Sequence, residues 1–201
     1  MNRLVYTADI CQVFSSLHSY RAMETCYSII NQIYASYKSK QDIYLDPLFY
    51  HLTECCYQDY EGDEEVIGKK QNMVCEYYDL LDTVISYSPH LLYSQHNAPY
   101  LSLYLSTLHQ GLTTSTHMPV TKLCICCYRK LATVWFDNTL NIPDEVRTML
   151  VNHLITEVIP FLFQLYQLPQ FNINDSGTIT AINEIASLLF ILDKNRPDFD
   201  Q

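Results

Sequence analysis

Apolar side chains recur at helical spacing along most of this chain, and the segment Val120–Phe136 shows the pattern most clearly. Its apolar positions follow the spacing i, i+3, i+4, i+7, i+11, i+14 and i+15, as Val120, Leu123, Cys124, Cys127, Leu131, Val134 and Trp135. Because an α-helix turns once in about 3.6 residues, this spacing places them on one face. Lys122 and Arg129 are seven residues apart and share a different face. The segment is therefore predicted to be a helix with a cysteine-rich apolar side and a basic stripe outside it.

The same periodicity predicts helices along nearly all of the remaining chain, with prolines and short polar residues marking their ends. The predicted ranges are 21–39, 45–58, about 65–88, 100–112, a helix from Pro143, and a last helix from Asp175 or Ser176 to Leu192. Asp46 is expected to cap the second helix, with Pro47 at its first helical position. Pro89 is expected to end the third helix, and Pro160 to bend the helix that begins at Pro143.

Each predicted helix carries an apolar stripe that is expected to face a core. In the first helix the stripe is Met23, Tyr27, Ile30, Tyr34 and Tyr37. In the helix from Pro143 it is Val146, Leu150, Leu154, Val158 and Phe161. Neighbouring helices must cover these stripes, because a single helix cannot bury its own apolar face.

Helix pairs recur at a spacing of roughly 40–50 residues, which is typical of HEAT and armadillo repeats. We therefore predict an all-α fold, a HEAT-repeat-type α-solenoid of about seven or eight antiparallel helices. Residues 1–201 are expected to form a single helical-repeat segment with a polar tail at 195–201. Residue-by-residue similarity between the pairs is weak, so an irregular globular helical domain is the alternative.

The charge balance limits the partners of such a chain. It has 12 lysines and arginines against 22 aspartates and glutamates, a formal net charge of −10. A protein that binds nucleic acid by itself is normally basic, because affinity comes largely from neutralised phosphates. The densest cationic cluster in the chain consists of Lys122, Arg129 and Lys130, and the second consists of Lys69 and Lys70. They are candidates for phosphate contacts, and the alternative is an ordinary solvated helix face.

Some classes of function are excluded or disfavoured. Glycine is scarce, with 4 in the chain, and neither G-x-x-x-x-G-K-[ST] nor G-x-G-x-x-G occurs, which excludes the nucleotide-binding loops built on those motifs. No secretory signal opens the chain and no apolar run of about 18 residues occurs. We therefore expect no membrane insertion, and thiols that stay reduced.

The 8 cysteines raise the question of metal chemistry. Cys124 and Cys127 lie one helical turn apart, and His51 with Cys55 offers a half-site, but a structural zinc site needs four converging ligands. No further pair with ligand spacing completes such a set. We interpret these thiols as small apolar packing residues.

Other candidate chemistry is weaker still. Cys126 lies near cationic residues, as a nucleophile requires, yet no histidine motif supplies a base. The acidic loop 59–65 lacks the ligand spacing of a calcium-binding EF-hand. The 17 tyrosines are expected mostly in helix seams, although exposed ones could stack on bases. We assign no catalytic, cofactor-binding or metal-binding residue.

Five stretches share their order and spacing with one known family. They are S-I-I-N-Q-I-Y-A-S-Y at 28–37, D-P-L-F at 46–49, T-K-L-C-I-C-C-Y-R-K-L-A-T-V-W at 121–135, I-P-F-L-F at 159–163 and N-D-S-G-T-I-T-A-I-N-E-I-A at 174–186. Together they cover most of Tyr27–Leu192 and resemble the C-terminal region of the exportin-T family of tRNA exportins. That family lies within the importin-β (karyopherin) superfamily.

The resemblance implies an α-solenoid of HEAT repeats without enzymatic activity. It implies tRNA as cargo, the Ran GTPase in its GTP form as partner, and nucleoporins as contacts during shuttling between nucleus and cytoplasm through the nuclear pore. Members are several times longer than this chain, and their Ran-binding repeats lie at the N-terminus. We therefore expect a segment whose Ran binding needs those repeats, with apolar surface near Leu4–Leu17 where an upstream repeat would dock. The alternative function is an acidic helical-repeat scaffold for protein–protein interaction.

Overall fold

A computed structural model describes residues 19–37, 45–57, 66–115, 118–136, 142–169 and 171–195. Across these ranges all regular structure is helical, which confirms the all-α, helical-repeat fold class. The chain divides into two compact units between Leu101 and Ser102. The predictions for Leu4–Leu17, for the acidic loop 59–65 and for the tail after Asn195 lie outside the described residues.

The described elements agree with the predicted helices to within a few residues. In chain order they are α1 Tyr20–Tyr37, α2 Phe49–Tyr57, α3 Val66–Tyr87, α4 Leu101–Thr114, α5 Met118–Trp135, α6 Asp144–His153 and α7 Ser176–Asn195. The 3₁₀ helices Pro89–Tyr93 and Ala98–Tyr100 follow α3, so Pro89 ends that helix as predicted. A third 3₁₀ helix, Leu165–Gln167, precedes α7.

In the first unit, α1 packs along α3. The Tyr27 and Tyr77 rings meet edge to face with centroids 5.6 Å apart, and the charge of Glu24 acts on the Cys75 thiol one turn away. The two helices therefore lie side by side within the first unit.

Burial in α1 confirms most of its predicted stripe. Met23, Tyr27 and Tyr34 are buried, and the Tyr27 hydroxyl donates a 2.7 Å hydrogen bond to the Leu52 carbonyl of α2. The prediction for Tyr37 is wrong, because its side chain is 57% exposed. The stripe continues past the point where the neighbouring helices cover it.

In the second unit, α5 packs along α7. Met118, at the start of α5, lies beside Gly177, at the start of α7. Further along both helices Arg129 pairs with Glu184. These contacts advance in the same direction along both helices, so α5 and α7 run parallel, as next-but-one helices do in an antiparallel array.

The start of α2 differs from the prediction for Asp46. The helix begins at Phe49, and residues 46–48 form a turn that the Leu48 N–H closes on the Leu45 carbonyl at 2.9 Å. Pro47 therefore lies in a turn and not at the first helical position. The Asp46 carboxylate accepts hydrogen bonds from Ser94, from His96 Nδ1 at 2.6 Å and from Asn97 Nδ2 at 3.0 Å. These more distant donors replace the local N–H groups of a cap.

Proline has a different effect on α6 from the predicted simple bend. The helix continues through a π-helical segment, Leu154–Val158, into Ile159–Leu162. Pro160 lacks an N–H and its ring crowds the carbonyl four residues earlier. The wider π-turn, in which the Ile159 N–H donates to the Leu154 carbonyl, accommodates this gap in the hydrogen bonding.

The predicted cap of the last helix is confirmed. The Thr178 N–H donates a 2.9 Å hydrogen bond to Asp175 Oδ2, which is the geometry of an N-cap carboxylate. A Cβ at Gly177 would lie 2.8 Å from the same oxygen. Glycine at this position therefore leaves room for the cap.

Two helical stretches, Asp144–Gln167 and Ser176–Asn195, are long and apolar enough to cross a membrane, judged by length and composition. Core helices of soluble proteins pass the same test, so the absence of membrane insertion stays a prediction. The buried shares of their apolar windows are 33% and 22%. The low value for the last helix shows that much of its apolar surface is uncovered.

Candidate nucleic-acid-contacting surface

The cysteine-rich side of α5 is buried, as predicted. Cys124, Cys127, Leu131 and Trp135 have no exposed surface. Leu123 and Val134, which the pattern placed in the same stripe, are half-buried. The covered face also includes Ile125, Tyr128 and Ala132. Helices pack on α5 from more than one side, so the buried face is wider than the periodicity suggests and is turned away from Leu123 and Val134.

The basic residues of α5 do not form one stripe. Lys122 and Arg129 are about 20° apart around the helix axis, whereas Lys130 lies about 100° from Arg129. All three side chains are half-buried. A ligand that contacts Lys122 and Arg129 together would meet Lys130 only at the edge of that face.

Arg129 has a carboxylate partner that its sequence position does not reveal. Its Nε donates to Glu184 of α7, and the two side chains are 27% and 22% exposed. A groove of about 480 Å³ opens beside this pair, lined by Arg129, Glu184, Ala186, Ser187, Phe190 and Ile191. A phosphate would have to compete with Glu184 for the guanidinium, so Arg129 is the weakest candidate for a phosphate contact on α5.

The second cationic pair lies on α3, in the first unit. Lys69 is exposed and Lys70 is half-buried. Lys70 is close enough to Cys56 of α2 for its charge to favour the thiolate form. Because the two cationic groups belong to different units, each is treated as a separate candidate contact.

Two of the thiols, those of Cys56 and Cys75, are poorly suited to nucleophilic chemistry. Burial raises the pKa of Cys56 far above its ordinary value and outweighs the opposing effect of Lys70. Burial, together with Asp79, Glu76 and Glu24, raises the pKa of Cys75 to about 11. Thiols with raised pKa values stay protonated near neutral pH and react slowly.

The half-site of His51 and Cys55 gathers no third ligand among the described residues. His51 is 44% exposed and lies 3.5 Å from Glu54, whereas Cys55 is 4% exposed. Within the described ranges, no three His, Cys, Asp or Glu side chains gather in an arrangement that could hold a metal ion.

Most of the described tyrosines lie in helix seams, but one pair stacks near the surface. The rings of Tyr50 and Tyr100 lie 3.9 Å apart at 26°, and both side chains are half-buried. The Tyr50 hydroxyl donates to the Glu54 carboxylate, and this bond raises the pKa of Tyr50 to about 12. The nearby carboxylate would repel a phosphate backbone, so the stacked pair is a weak base platform. Its two members are fifty residues apart, and no local pattern predicts it.

The second unit also contains a buried polar cluster that no sequence motif predicts. The Tyr128 hydroxyl donates to the Leu105 carbonyl at 3.0 Å and accepts from His153 Nε2 at 2.8 Å. Burial and the neighbouring His109 lower the pKa of His153. A neutral His153 with its proton on Nε2 satisfies both hydrogen bonds. The cluster therefore joins α4, α5 and α6.

Comparison with known proteins identifies one family. The family model described as Exportin-T matches residues 11–201, which is nearly the whole chain. No curated protein and no solved structure matches the chain.

Proposed function

Because the chain belongs to the exportin-T family, we propose that it is a tRNA-binding helical-repeat segment of a nuclear export receptor. Exportins are transport receptors that generally lack enzymatic activity and move between nucleus and cytoplasm. Family membership is the observation that carries the proposal. The proposed partners are tRNA as cargo, Ran in its GTP form, and nucleoporins during passage through the nuclear pore.

The arrangement of charge supports a contribution from local contacts. The chain carries a net charge of −10, so affinity for tRNA has to come from a few positions where cations outnumber carboxylates. Lys122 and Lys130 on α5, and Lys69 and Lys70 on α3, are the residues that we propose as phosphate contacts. Arg129 is included as a contact that forms after Glu184 is displaced.

Binding of fluorescently labelled tRNA in low salt, with and without Ran-GTP, tests the proposal. We expect tRNA to bind, and an equal mass of bulk RNA to compete poorly. Anisotropy measured over a range of salt concentrations gives the number of phosphate contacts, because each contact changes the logarithmic salt slope by about 0.7–0.9. If bulk RNA displaces tRNA as efficiently as unlabelled tRNA does, the proposed function is wrong.

Substitutions assign the contacts. Removing both Lys122 and Lys130 by alanine substitution should weaken binding severalfold and reduce the salt slope by about 1.4–1.8. Arg21→Ala is the matched control, because Arg21 is an exposed cation on α1 outside both candidate groups. The control removes one charge and the variant two, so a control loss half as large in free energy would show that net charge alone, and not these positions, governs the affinity.

A further inference from the structure

The last helix, α7, has two opposite apolar faces. Ala181, Leu188 and Leu192 are buried within the second unit. On the other side lie Ile179, Ile182, Ala186 and Phe190, here called the α7 stripe. At 100° per residue these four positions fall within about 80° of one another, and their centre lies about 145° around the helix from that of the buried face. The packing of α7 against α5 therefore cannot cover the α7 stripe.

The large side chains of the α7 stripe are apolar and yet exposed to solvent. Phe190 is 67% exposed, Ile179 48% and Ile182 36%. The helix has the length and apolar composition of a membrane span, but only 22% of its apolar window is buried. An apolar stripe of this length, bordered by polar residues such as Asn183 and Ser187, is typical of a surface that packs against another helix.

We propose that the α7 stripe packs antiparallel against the α7 stripe of a second copy of this chain, with the twofold axis at Ala186. The small Ala186 side chain allows the two helices to approach closely at the centre. Ile182 and Phe190 lie four residues on either side of Ala186. Ile182 of each copy therefore faces Phe190 of the other, and the surface is complementary to itself, as a twofold interface requires.

The charges at the two ends of α7 favour the antiparallel arrangement. Exposed Asp175 stands at the N-terminus and exposed Lys194 at the C-terminus. With the axis at Ala186, Lys194 lies opposite position 178 of the second copy, about 4.5 Å along the axis from Asp175. A parallel pair would instead place Asp175 beside Asp175 and Lys194 beside Lys194.

The body of the helix adds no opposing charge. Between Ser176 and Leu192 the one charged residue of α7 is Glu184, and Arg129 of the same unit already pairs with it. Asp193 of each copy lies near the N-terminus of the other helix, where the helix dipole favours a carboxylate. Two copies can therefore approach along α7 although each carries a net charge of −10.

Sedimentation equilibrium of the whole chain, from about 1 to 100 μM, tests the proposal. We expect a monomer–dimer equilibrium that Phe190→Asp or Ile182→Asp weakens at least tenfold, because each variant buries a carboxylate at the interface. Phe163→Asp is the control, since Phe163 is 65% exposed in the same unit but lies outside α7. Fluorescence of the single tryptophan, Trp135 of α5, checks that each variant is folded. A monomer over the whole concentration range, or an equal effect of Phe163→Asp, overturns the proposal.

Cysteine crosslinking tests the geometry separately. Ala186→Cys should crosslink two copies through a short bis-maleimide, whereas Ile179→Cys should not, because the two positions 179 would lie about 21 Å apart along the axis. The unsubstituted chain controls for the eight natural thiols. Efficient linkage at 179 and not at 186 would overturn the antiparallel arrangement.

A monomer that co-sediments with phosphatidylcholine vesicles would assign the α7 stripe to a lipid surface instead. The proposal does not depend on tRNA binding, so either one can fail alone.

Discussion

Tyr128 offers a sharp test of how the second unit is held together. Its side chain has no exposed surface, and its hydroxyl makes hydrogen bonds to the Leu105 carbonyl of α4 and to His153 Nε2 of α6. Tyr128→Phe keeps the ring and removes these bonds. The Leu105 carbonyl retains its helical hydrogen bond and remains an acceptor for His153. We expect the free energy of unfolding to fall by about 1 kcal/mol, the typical net contribution of an intramolecular hydrogen bond.

The assay is urea unfolding followed by Trp135 fluorescence. Trp135 is the one tryptophan in the chain and is fully buried in α5, so its signal reports on the unit that contains Tyr128. Tyr166→Phe is the matched control, because it removes a hydroxyl from a tyrosine of the same unit that is 66% exposed. A loss below about 0.5 kcal/mol for Tyr128→Phe, or an equal loss for the control, would refute the assigned hydrogen bonds.

The same cluster predicts a dependence on pH. Burial, with His109 nearby, lowers the pKa of His153 below its ordinary value of 6.5. Below about pH 6.5 the unfolded chain therefore binds a proton at His153 more readily than the folded chain does, so stability falls as the pH drops through that value. His153→Gln keeps a donor and removes the titration. We expect this variant to lose less stability between pH 7.5 and 5.5 than the natural chain. An equal loss of stability in the two proteins would contradict the prediction.

Three further predictions follow from the local structure. Asp175→Ala should lower the stability of the second unit by about 1 kcal/mol, measured by Trp135 fluorescence, while Asp175→Asn retains most of the cap; equal effects would argue against capping. Asp46→Ala should lower stability by roughly 2 kcal/mol, seen by circular dichroism, because it removes the carboxylate that accepts hydrogen bonds from Ser94, His96 and Asn97. An unchanged unfolding midpoint would show that the turn at 94–97 holds without Asp46. Maleimide labelling of the folded chain, located by mass spectrometry, should modify half-buried Cys126 before fully buried Cys127. The reverse order would mean that α5 faces the other way.

Several features of this protein are readable in the sequence because they depend on neighbours along the chain. Helical periodicity identified α5 and its buried cysteines, and Asp175 was identifiable as a cap because an N-cap needs partners only three residues away. The order of short motifs, more than any single residue, indicated the family. The first two signals lie within a few helical turns, and the motif order is read along the chain without any knowledge of tertiary contacts.

Tertiary structure decided which face of each helix is covered and by what. Asp46 has the residue type and position expected of an N-cap, yet its carboxylate accepts hydrogen bonds from donors 48–51 residues away. The sequence places Arg129 in a basic stripe, whereas the structure shows that it pairs with Glu184, which lies 55 residues later in the chain. Tyr37 continues an apolar stripe and is exposed, and Phe190 lies on a stripe that the second unit leaves open. The physical reason is that periodicity shows which side of a helix is apolar, whereas burial and charge pairing depend on which other segments pack against that side.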